Sequence, residues 1–372
     1  AKPLGRGQEI WYEHVGELDV LAVIDDVARH YAVDPDAVYL GGVSMGGLGT
    51  IKIAEQHPDR FAGIFPSVPA MSDRAQGYVL PANNDWDLVE LVPSLRNLPV
   101  RNFTGTYDAL VPAGLDSERF CDRLAREVHD HDCWRDVSPN GTHRNYENDR
   151  AAEIARLLEE HRVVRDPARV TYNSHPVFRR QAAGAGITHL LGYDGVYWVS
   201  GIRWPEPPVD GGCAVQDCLE SPDVPTWPTD PGTPRRVTGG EGISSLDVRT
   251  YGFGDGEPVA EDIPDDPSPT LVRRGIVLRP GEPVEPRNAF DLEVARVLAL
   301  DLDLARMGLT LETPLTGSLA GDGDLVLGLV APGEECAATL DGAPISVARE
   351  GPRLVLEVSL GEEPGTLEVA CS

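Results

Sequence analysis

The sequence predicts an α/β domain built on a parallel sheet, followed by an all-β, sandwich-like domain. Two observations support this fold class. In the first 160 residues, segments with apolar residues at helical spacing alternate with short apolar runs, which is typical of a parallel α/β sheet. Later in the chain, short alternating segments follow one another between Pro- and Gly-rich turns. We therefore expect one domain at residues 1–163 and a β-rich accessory domain at residues 164–372.

The first domain is expected to begin with an amphipathic helix and to continue as alternating strands and helices. Residues 71–98 carry no clear period and are interpreted as an insertion that covers part of the site. Outside the insertion, helices are predicted at 13–31, 47–57, 117–129 and 148–160, and strands at 38–40, 61–65, 99–105 and 134–137.

The second domain shows the period-two alternation of half-buried strands. A Pro-rich tract at 204–234 is interpreted as a surface excursion. Strands are predicted within 195–202, 246–253, 271–278, 297–304, 325–330 and 354–358.

The charge balance limits the partners of this protein. The formal net charge of the 372 residues is -28, so a broad nucleic-acid-binding or anionic membrane surface is not expected. The sequence also contains no apolar run long enough to cross a membrane as a helix.

The six cysteines fall into three pairs that are close in sequence. Proximity favours at least two disulfide bonds, and therefore a secreted or periplasmic bacterial protein. The expected pairs are Cys121 with Cys133, Cys213 with Cys218, and Cys336 with Cys371.

A catalytic serine is predicted at the G-x-S-x-G motif Gly42-Val43-Ser44-Met45-Gly46, between a predicted strand and a predicted helix. Such a nucleophile elbow presents a serine hydroxyl above the sheet, with the backbone N–H of the next residue facing a developing oxyanion. Ser44 is therefore the predicted nucleophile, and Met45 N–H a predicted oxyanion donor. The alternative is a Gly-rich turn with an incidental serine.

A serine nucleophile needs a base and a carboxylate that orients the base. In this fold they follow the serine in the order acid, then histidine, each on a loop after a strand. Asp108 and His143 meet both conditions. Asp116 is the nearest alternative acid, and His129 and His131 are alternative bases, which we expect to lie at the end of a helix on a solvated acidic surface.

The sequence around the elbow, residues 34–47, resembles the α/β-hydrolase superfamily. It is most similar to prolyl-oligopeptidase-like serine peptidases and to bacterial feruloyl-esterase or polyhydroxybutyrate-depolymerase-like esterases. Residues 107–112 and 141–143 resemble the acid and histidine loops of that group. The resemblance covers about residues 1–163, and it implies serine-hydrolase chemistry without selecting an ester or a peptide substrate.

The chain departs from the family pattern before the elbow. Only about 40 residues precede Ser44, whereas the superfamily has several strands there, including one whose loop supplies a second oxyanion donor. We expect the chain to be the C-terminal portion of a longer protein, whose missing strands come from another chain, from a separate fragment or from a further stretch of the same polypeptide. A minimal hydrolase that is complete as it stands is the alternative.

Two functions from different classes follow from these features. The first is a serine hydrolase that cleaves ester or peptide bonds, with Tyr78 and Trp86 in the insertion as candidates for the substrate cleft. The second is a non-catalytic binding protein whose β domain recognises a polymer or a partner. No cofactor and no metal site are expected, because the histidines and cysteines lack metal-ligand spacing.

Overall fold

The structure is a computed structural model. It describes residues 12, 15–69, 71, 88–111, 117–143, 151–175, 193–205, 243–264, 268–332 and 335–371. The predicted fold class is confirmed, because an α/β region with a mixed, mostly parallel sheet is followed by two β-rich sheets. The α-helices are α1 (Val15–His30), α2 (Met45–Gln56), α3 (Ser117–Arg126) and α4 (Ala151–Glu160).

The strands of the α/β region are β1 (Tyr39–Val43), β2 (Gly63–Ser67), β3 (Val100–Gly105) and β4 (His131–Asp136). The later strands are β5 (Arg169–Ser174), β6 (Val199–Arg203), β7 (Ser244–Thr250), β8 (Val259–Asp262), β9 (Leu271–Arg279), β10 (Ala289–Ala295), β11 (Ala299–Asp303), β12 (Leu315–Gly321), β13 (Gly323–Val330), β14 (Cys336–Leu340), β15 (Ala343–Pro344), β16 (Ser346–Glu350), β17 (Arg353–Leu360) and β18 (Gly365–Cys371).

Within the described residues, the hydrolase-like sheet has six strands in the order β1-β2-β3-β4-β9-β8, and β1 to β4 run parallel. Side chains point alternately to the two faces of a sheet, so residues an odd number of positions apart pack on opposite faces. Val100 of β3 packs into a core with α1, α2, α3 and a 3₁₀ helix (Leu88–Leu95). Phe103, three residues further on, packs into a second core with Trp134 and Ile154 of α4. The sheet therefore lies between two helical layers.

Strand β1, which leads into the elbow, lies at one edge of this sheet. Within the described residues it pairs only with β2. Its residues are half-buried or exposed, whereas every residue of β3 is buried. This edge is the position at which the sequence predicted additional strands, and their source stays a prediction.

The opposite end of the sheet corrects one expectation. From the sequence, residues 271–278 are expected in the all-β domain, but β9 pairs antiparallel with β4, and β8 pairs with β9. The alternation predicted the strand correctly and could not specify its sheet, since alternation reports one buried face and not the neighbouring strand. The proposed boundary at residue 163 stays a prediction, and this hairpin crosses it.

The remaining strands form a seven-stranded and a five-stranded sheet. Buried side chains from both sheets form one continuous hydrophobic core, which includes Tyr172 and Leu246 from the first sheet and Leu327 and Leu356 from the second. The β-rich region is therefore a two-layer sandwich, with its core between the sheets.

Two of the three expected disulfides are present. Cys121–Cys133 joins α3 to β4, and Cys336–Cys371 joins β14 to β18. Cys213 and Cys218 lie outside the described residues. Among the described residues, no helix has the length and apolar character of a membrane-spanning segment.

Buried polar contacts connect the α/β region to the β-rich region. Glu17 of α1 is fully buried, and its carboxylate lies 2.8 Å from His57 Nε2 and accepts a hydrogen bond of 3.0 Å from the Tyr193 hydroxyl. The Tyr172 hydroxyl donates to the Gln56 carbonyl oxygen at 3.0 Å. Removing a hydrogen-bond donor from a buried carboxylate leaves the carboxylate unsatisfied and lowers the stability of the folded state.

Tyr193→Phe is expected to lower the free energy of unfolding by about 1–3 kcal/mol, because it removes a donor from a buried carboxylate. Chemical unfolding of the two proteins measures the difference. Tyr31→Phe is the control, since Tyr31 is 69% exposed. Equal midpoints for Tyr193→Phe and the unchanged protein would contradict the expectation.

Candidate active site

The elbow has the geometry expected of a nucleophile elbow. Ser44 lies between β1 and α2 with φ 57° and ψ -117°, a region that residues with a side chain rarely adopt. Its N–H donates to the Ser67 carbonyl oxygen at 2.9 Å, and its carbonyl oxygen accepts from Leu48 N–H at 3.0 Å. Strain of this kind costs about 1–3 kcal/mol and persists where the surroundings impose it.

Close backbone contacts explain two of the glycines. A Cβ on Gly42 would lie 2.3 Å from the Gly46 carbonyl oxygen, and a Cβ on Gly47 would lie 2.7 Å from the Ser67 carbonyl oxygen. A Cβ on Gly46 would meet nothing closer than the Tyr12 hydroxyl at 3.9 Å. The sequence argument that both flanking glycines prevent a backbone collision therefore holds for Gly42 and not for Gly46.

Met45 is the first residue of α2. Backbone amides in the first turn of a helix have no intrahelical acceptor, and they carry the positive end of the helix dipole. The N–H of Met45 is therefore available to an anion beside Ser44, which is compatible with its predicted role.

Tyr12 also lies beside the elbow and was not singled out in the sequence. The closest atoms to a Cβ on Gly49 would be those of the Tyr12 ring, the nearest at 2.4 Å, and the Lys52 ammonium donates to the Tyr12 carbonyl oxygen at 3.3 Å. Burial raises the pKa of the Tyr12 phenol. The sequence feature that could have indicated a neighbouring aromatic ring is the pair Gly46 and Gly49. Two glycines three residues apart leave space for a ring on one face of α2.

The structure brings the predicted acid and base together. His143 Nδ1 and Asp108 Oδ2 are 2.7 Å apart, and the Asp108 side chain is fully buried. A carboxylate only accepts hydrogen bonds, so Nδ1 carries the proton and Nε2 is left as an acceptor. This is the tautomer that a general base for a serine hydroxyl requires.

The carboxylate of Asp108 is itself held in place. Its other oxygen, Oδ1, accepts hydrogen bonds from Leu110 N–H and Val111 N–H, both at 2.9 Å. Tyr107 N–H donates to the Gly141 carbonyl oxygen at 2.8 Å and so connects the acid loop to the histidine loop. The orientation of the imidazole is therefore determined by the backbone of two loops.

Ser44 is not hydrogen-bonded to this pair. Among the described residues, no hydrogen bond joins its hydroxyl to His143, and the hydroxyl does not cap α2. The structure thus brings together two of the three predicted catalytic residues, and the assignment of all three as a triad stays a prediction. Asp116, Tyr78 and Trp86 lie outside the described residues.

The alternative bases occupy a different environment from the one expected. His129 and His131 are 2% and 1% exposed, and they lie in the core instead of on a solvated surface. Burial lowers the pKa of His129 to about 3 and also lowers the pKa of His131. His131 Nδ1 donates to the His129 carbonyl oxygen at 2.7 Å. The expectation of a surface was wrong because the acidic run Asp130–Asp132 includes β4 residues that face the protein interior.

His129→Leu is expected to reduce the loss of stability on acidification. A histidine whose folded pKa is about 3 is neutral when folded and becomes protonated on unfolding below about pH 6.5. Stability that is present above that pH is lost as the pH falls, by about 2 kcal/mol between pH 7 and pH 5. Unfolding by urea at both pH values measures this loss, with His30→Gln as the exposed control. An unchanged loss in His129→Leu would contradict the argument.

No metal-binding group is evident where the structure describes the chain. Within that part, no group of three or more His, Cys, Asp or Glu side chains is arranged to hold an ion.

Comparisons with known proteins agree with the elbow geometry. A family model described as the prolyl oligopeptidase family matches residues 12–87. NocK, a protein of Nocardia uniformis subsp. tsuyamanensis whose name describes it as an esterase, is 44% identical over 55 residues, which cover 13% of this chain and 16% of NocK.

Two solved structures are also similar. A thermostable esterase is 22% identical, with 40% of this chain and 36% of that chain covered and a TM-score of 0.31. The acylaminoacyl peptidase of Pyrococcus horikoshii is 12% identical, with 40% and 26% covered and a TM-score of 0.30. The matched part of the chain spans less than half the length of each of these relatives.

The parallel sheet and the strained serine give this part of the chain the fold of an α/β hydrolase. Within that fold class, residues 12–87 are similar to the prolyl oligopeptidase family and to an esterase. The resemblance inferred from the sequence is therefore confirmed over this part of the chain.

Proposed function

We propose that this protein is a serine hydrolase that cleaves ester or peptide bonds through an acyl-enzyme. The observation that carries the proposal is the 2.7 Å hydrogen bond between His143 and the fully buried side chain of Asp108, the two residues for which the sequence predicts these roles. The strained elbow conformation of Ser44 supports it independently.

In the proposed reaction, Ser44 Oγ attacks the carbonyl carbon of the substrate while His143 Nε2 accepts the hydroxyl proton. The imidazolium is stabilised by Asp108 and then donates the proton to the leaving group. A water molecule, activated in the same way, releases the acid and regenerates the serine. Met45 N–H donates to the oxyanion of both tetrahedral intermediates.

The absence of a hydrogen bond between Ser44 and His143 is compatible with this role. Catalytic hydrogen bonds are often long or poorly aligned in the free enzyme and tighten when substrate is bound. The tautomer of His143 leaves Nε2 ready to accept, which is the requirement that the free enzyme has to meet.

We also propose that the protein acts in an extracytoplasmic compartment. The two disulfides Cys121–Cys133 and Cys336–Cys371 support this location, because disulfides persist in oxidising environments and are rare in the cytosol. Thiol titration of the denatured protein isolated from its native compartment tests this, and free thiols at these four positions would contradict it.

Labelling with a fluorophosphonate probe tests the enzymatic proposal most directly, because an activated serine displaces fluoride from the probe and becomes phosphonylated, whereas ordinary serines do not react. We expect one label per chain, located by peptide mapping at Ser44. Hydrolysis of p-nitrophenyl acyl esters and of peptide p-nitroanilides then separates esterase from peptidase activity. No labelling and no turnover of either substrate class by the folded protein would contradict the proposal.

A further inference from the structure

The hairpin β8–β9 joins the strand that leads to His143. β9 pairs with β4 over the full strand, from His131 opposite Ile276 to Asp136 opposite Leu271. The pairing continues one residue further, because Val137 N–H donates to the Thr270 carbonyl oxygen at 2.8 Å. The hairpin is therefore hydrogen-bonded to β4 and to Val137. Val137 is the first residue of the segment from β4 to His143, residues 137–143, which is called the histidine loop below.

An ion pair with a buried carboxylate fixes the hairpin on one face of the sheet. The Arg273 guanidinium donates to both carboxylate oxygens of Asp132, with Nε–Oδ1 3.0 Å and Nη2–Oδ2 2.6 Å. The Asp132 side chain is only 4% exposed. The same guanidinium lies 4.5 Å from the centroid of the Trp134 ring, which is buried with Val68 and Phe103. The guanidinium is planar and can make these contacts with Asp132 and Trp134 together in only one alignment. The contacts therefore select one register of β9 against β4.

A second contact fixes the hairpin on the other face. Arg274 donates to Asp122 Oδ1 at 2.6 Å and to the Glu118 carbonyl oxygen at 3.1 Å, and both acceptors belong to α3. Adjacent arginines thus attach β9 to opposite sides of the sheet, since successive side chains of a strand point to opposite faces.

The histidine loop is attached at both ends. Its beginning is bound to the hairpin through Val137, and its end is bound to the acid loop through Gly141 and through His143 itself. Without β9, β4 would be an edge strand, and edge strands open locally at a lower free energy than central strands. An imidazole displaced by about 1 Å can cost 10²-fold in rate.

We propose that the hairpin β8–β9 is a positioning element of the catalytic centre, and that Arg273 is its positioning residue. The inference rests on the proposed serine-hydrolase function for its catalytic consequence. The β-rich part of the chain would then supply part of the catalytic framework, from a segment more than one hundred residues after His143.

Arg273→Gln tests the proposal, with Arg279→Gln as the matched control on the same strand, because Arg279 forms an exposed ion pair with Glu261. Active sites are titrated with the fluorophosphonate, and turnover is expressed per titrated site. We expect kcat per site to fall by about 10- to 100-fold in Arg273→Gln. The KM of Arg273→Gln should stay within about two-fold of that of the unchanged protein. Arg279→Gln should match the unchanged protein in both kcat per site and KM.

A conservative variant and a double variant separate positioning from folding. Arg273→Lys retains the charge opposite Asp132 and is expected to restore part of the lost kcat. The double variant Arg273→Gln with Asp132→Asn removes the unpaired buried charge, and is expected to recover stability but not kcat. A wild-type kcat per titrated site in Arg273→Gln would overturn the proposal, whatever the stability of that variant.

Hydrogen exchange makes the test independent of activity. In Arg273→Gln, the backbone amides of residues 137–143 are expected to exchange at least about ten-fold faster, while α1 and β17 are unchanged. If the unchanged protein were inactive, the proposed function would fail, and faster exchange would still support the structural role of the hairpin. Unchanged exchange in residues 137–143 would overturn that role.

Discussion

Ser44→Ala is expected to lower kcat/KM by about 10⁴- to 10⁶-fold and to abolish fluorophosphonate labelling. The substitution removes only Oγ, which is the attacking atom of the proposed reaction. The backbone at residue 44 is fixed by Ser67 and Leu48 and not by the hydroxyl, so the elbow is expected to keep its conformation. The residual rate should reflect binding and the Met45 N–H alone.

The stability of Ser44→Ala decides how a loss of activity is interpreted. Alanine retains the Cβ, and therefore the same strain at φ 57°, so the unfolding midpoint should stay close to that of the unchanged protein. Ser359→Ala is the matched control, since the Ser359 hydroxyl donates to Asp324 in the β-rich region. Undiminished turnover in Ser44→Ala would exclude Ser44 as the nucleophile.

The sequence was sufficient to predict the elbow and the acid–histidine pair because each depends on local features. A tight strand-to-helix turn requires a glycine at position 42, and the Gly46 carbonyl oxygen 2.3 Å from its missing Cβ shows why. Asp108 and His143 each follow a strand of a parallel sheet, and the carboxyl ends of parallel strands lie at one edge. Local pattern and topology were therefore enough to select these two residues, which lie 2.7 Å apart in the structure, while their catalytic roles stay a prediction.

Features that depend on long-range packing were not predictable. Alternation in residues 271–278 predicts a strand, but the free edge that it joins belongs to β4, about 140 residues earlier. The burial of His129 and His131 also depends on how α3 and β4 pack, whereas the surrounding acidic residues suggest a surface. The burial of Glu17 beside His57 and Tyr193 likewise depends on contacts across the chain.

Asp108→Asn is expected to lower kcat/KM by about 10⁴-fold while leaving the fold intact. Asp108 Oδ1 accepts two backbone N–H groups, so the carbonyl oxygen of the asparagine has to occupy that position. The amide NH₂ then faces His143 Nδ1 and can only donate to it. The imidazole is thereby held as the Nε2–H tautomer, which cannot accept the proton of the Ser44 hydroxyl.

The same substitution at Asp34 provides a matched control. Asp34 Oδ1 also accepts a backbone N–H, that of Asp36 at 3.0 Å, but its side chain is 57% exposed. Asp34→Asn should therefore retain the turn and the activity.

Asp108→Glu separates charge from placement, because it keeps the carboxylate but displaces it by one methylene group from the amides of Leu110 and Val111. We expect Asp108→Glu to lose less activity than Asp108→Asn, since the carboxylate still favours the Nδ1–H tautomer of His143. Equal activity of Asp108→Asn and the unchanged protein, measured as kcat/KM per titrated serine, would show that the carboxylate does not control the tautomer.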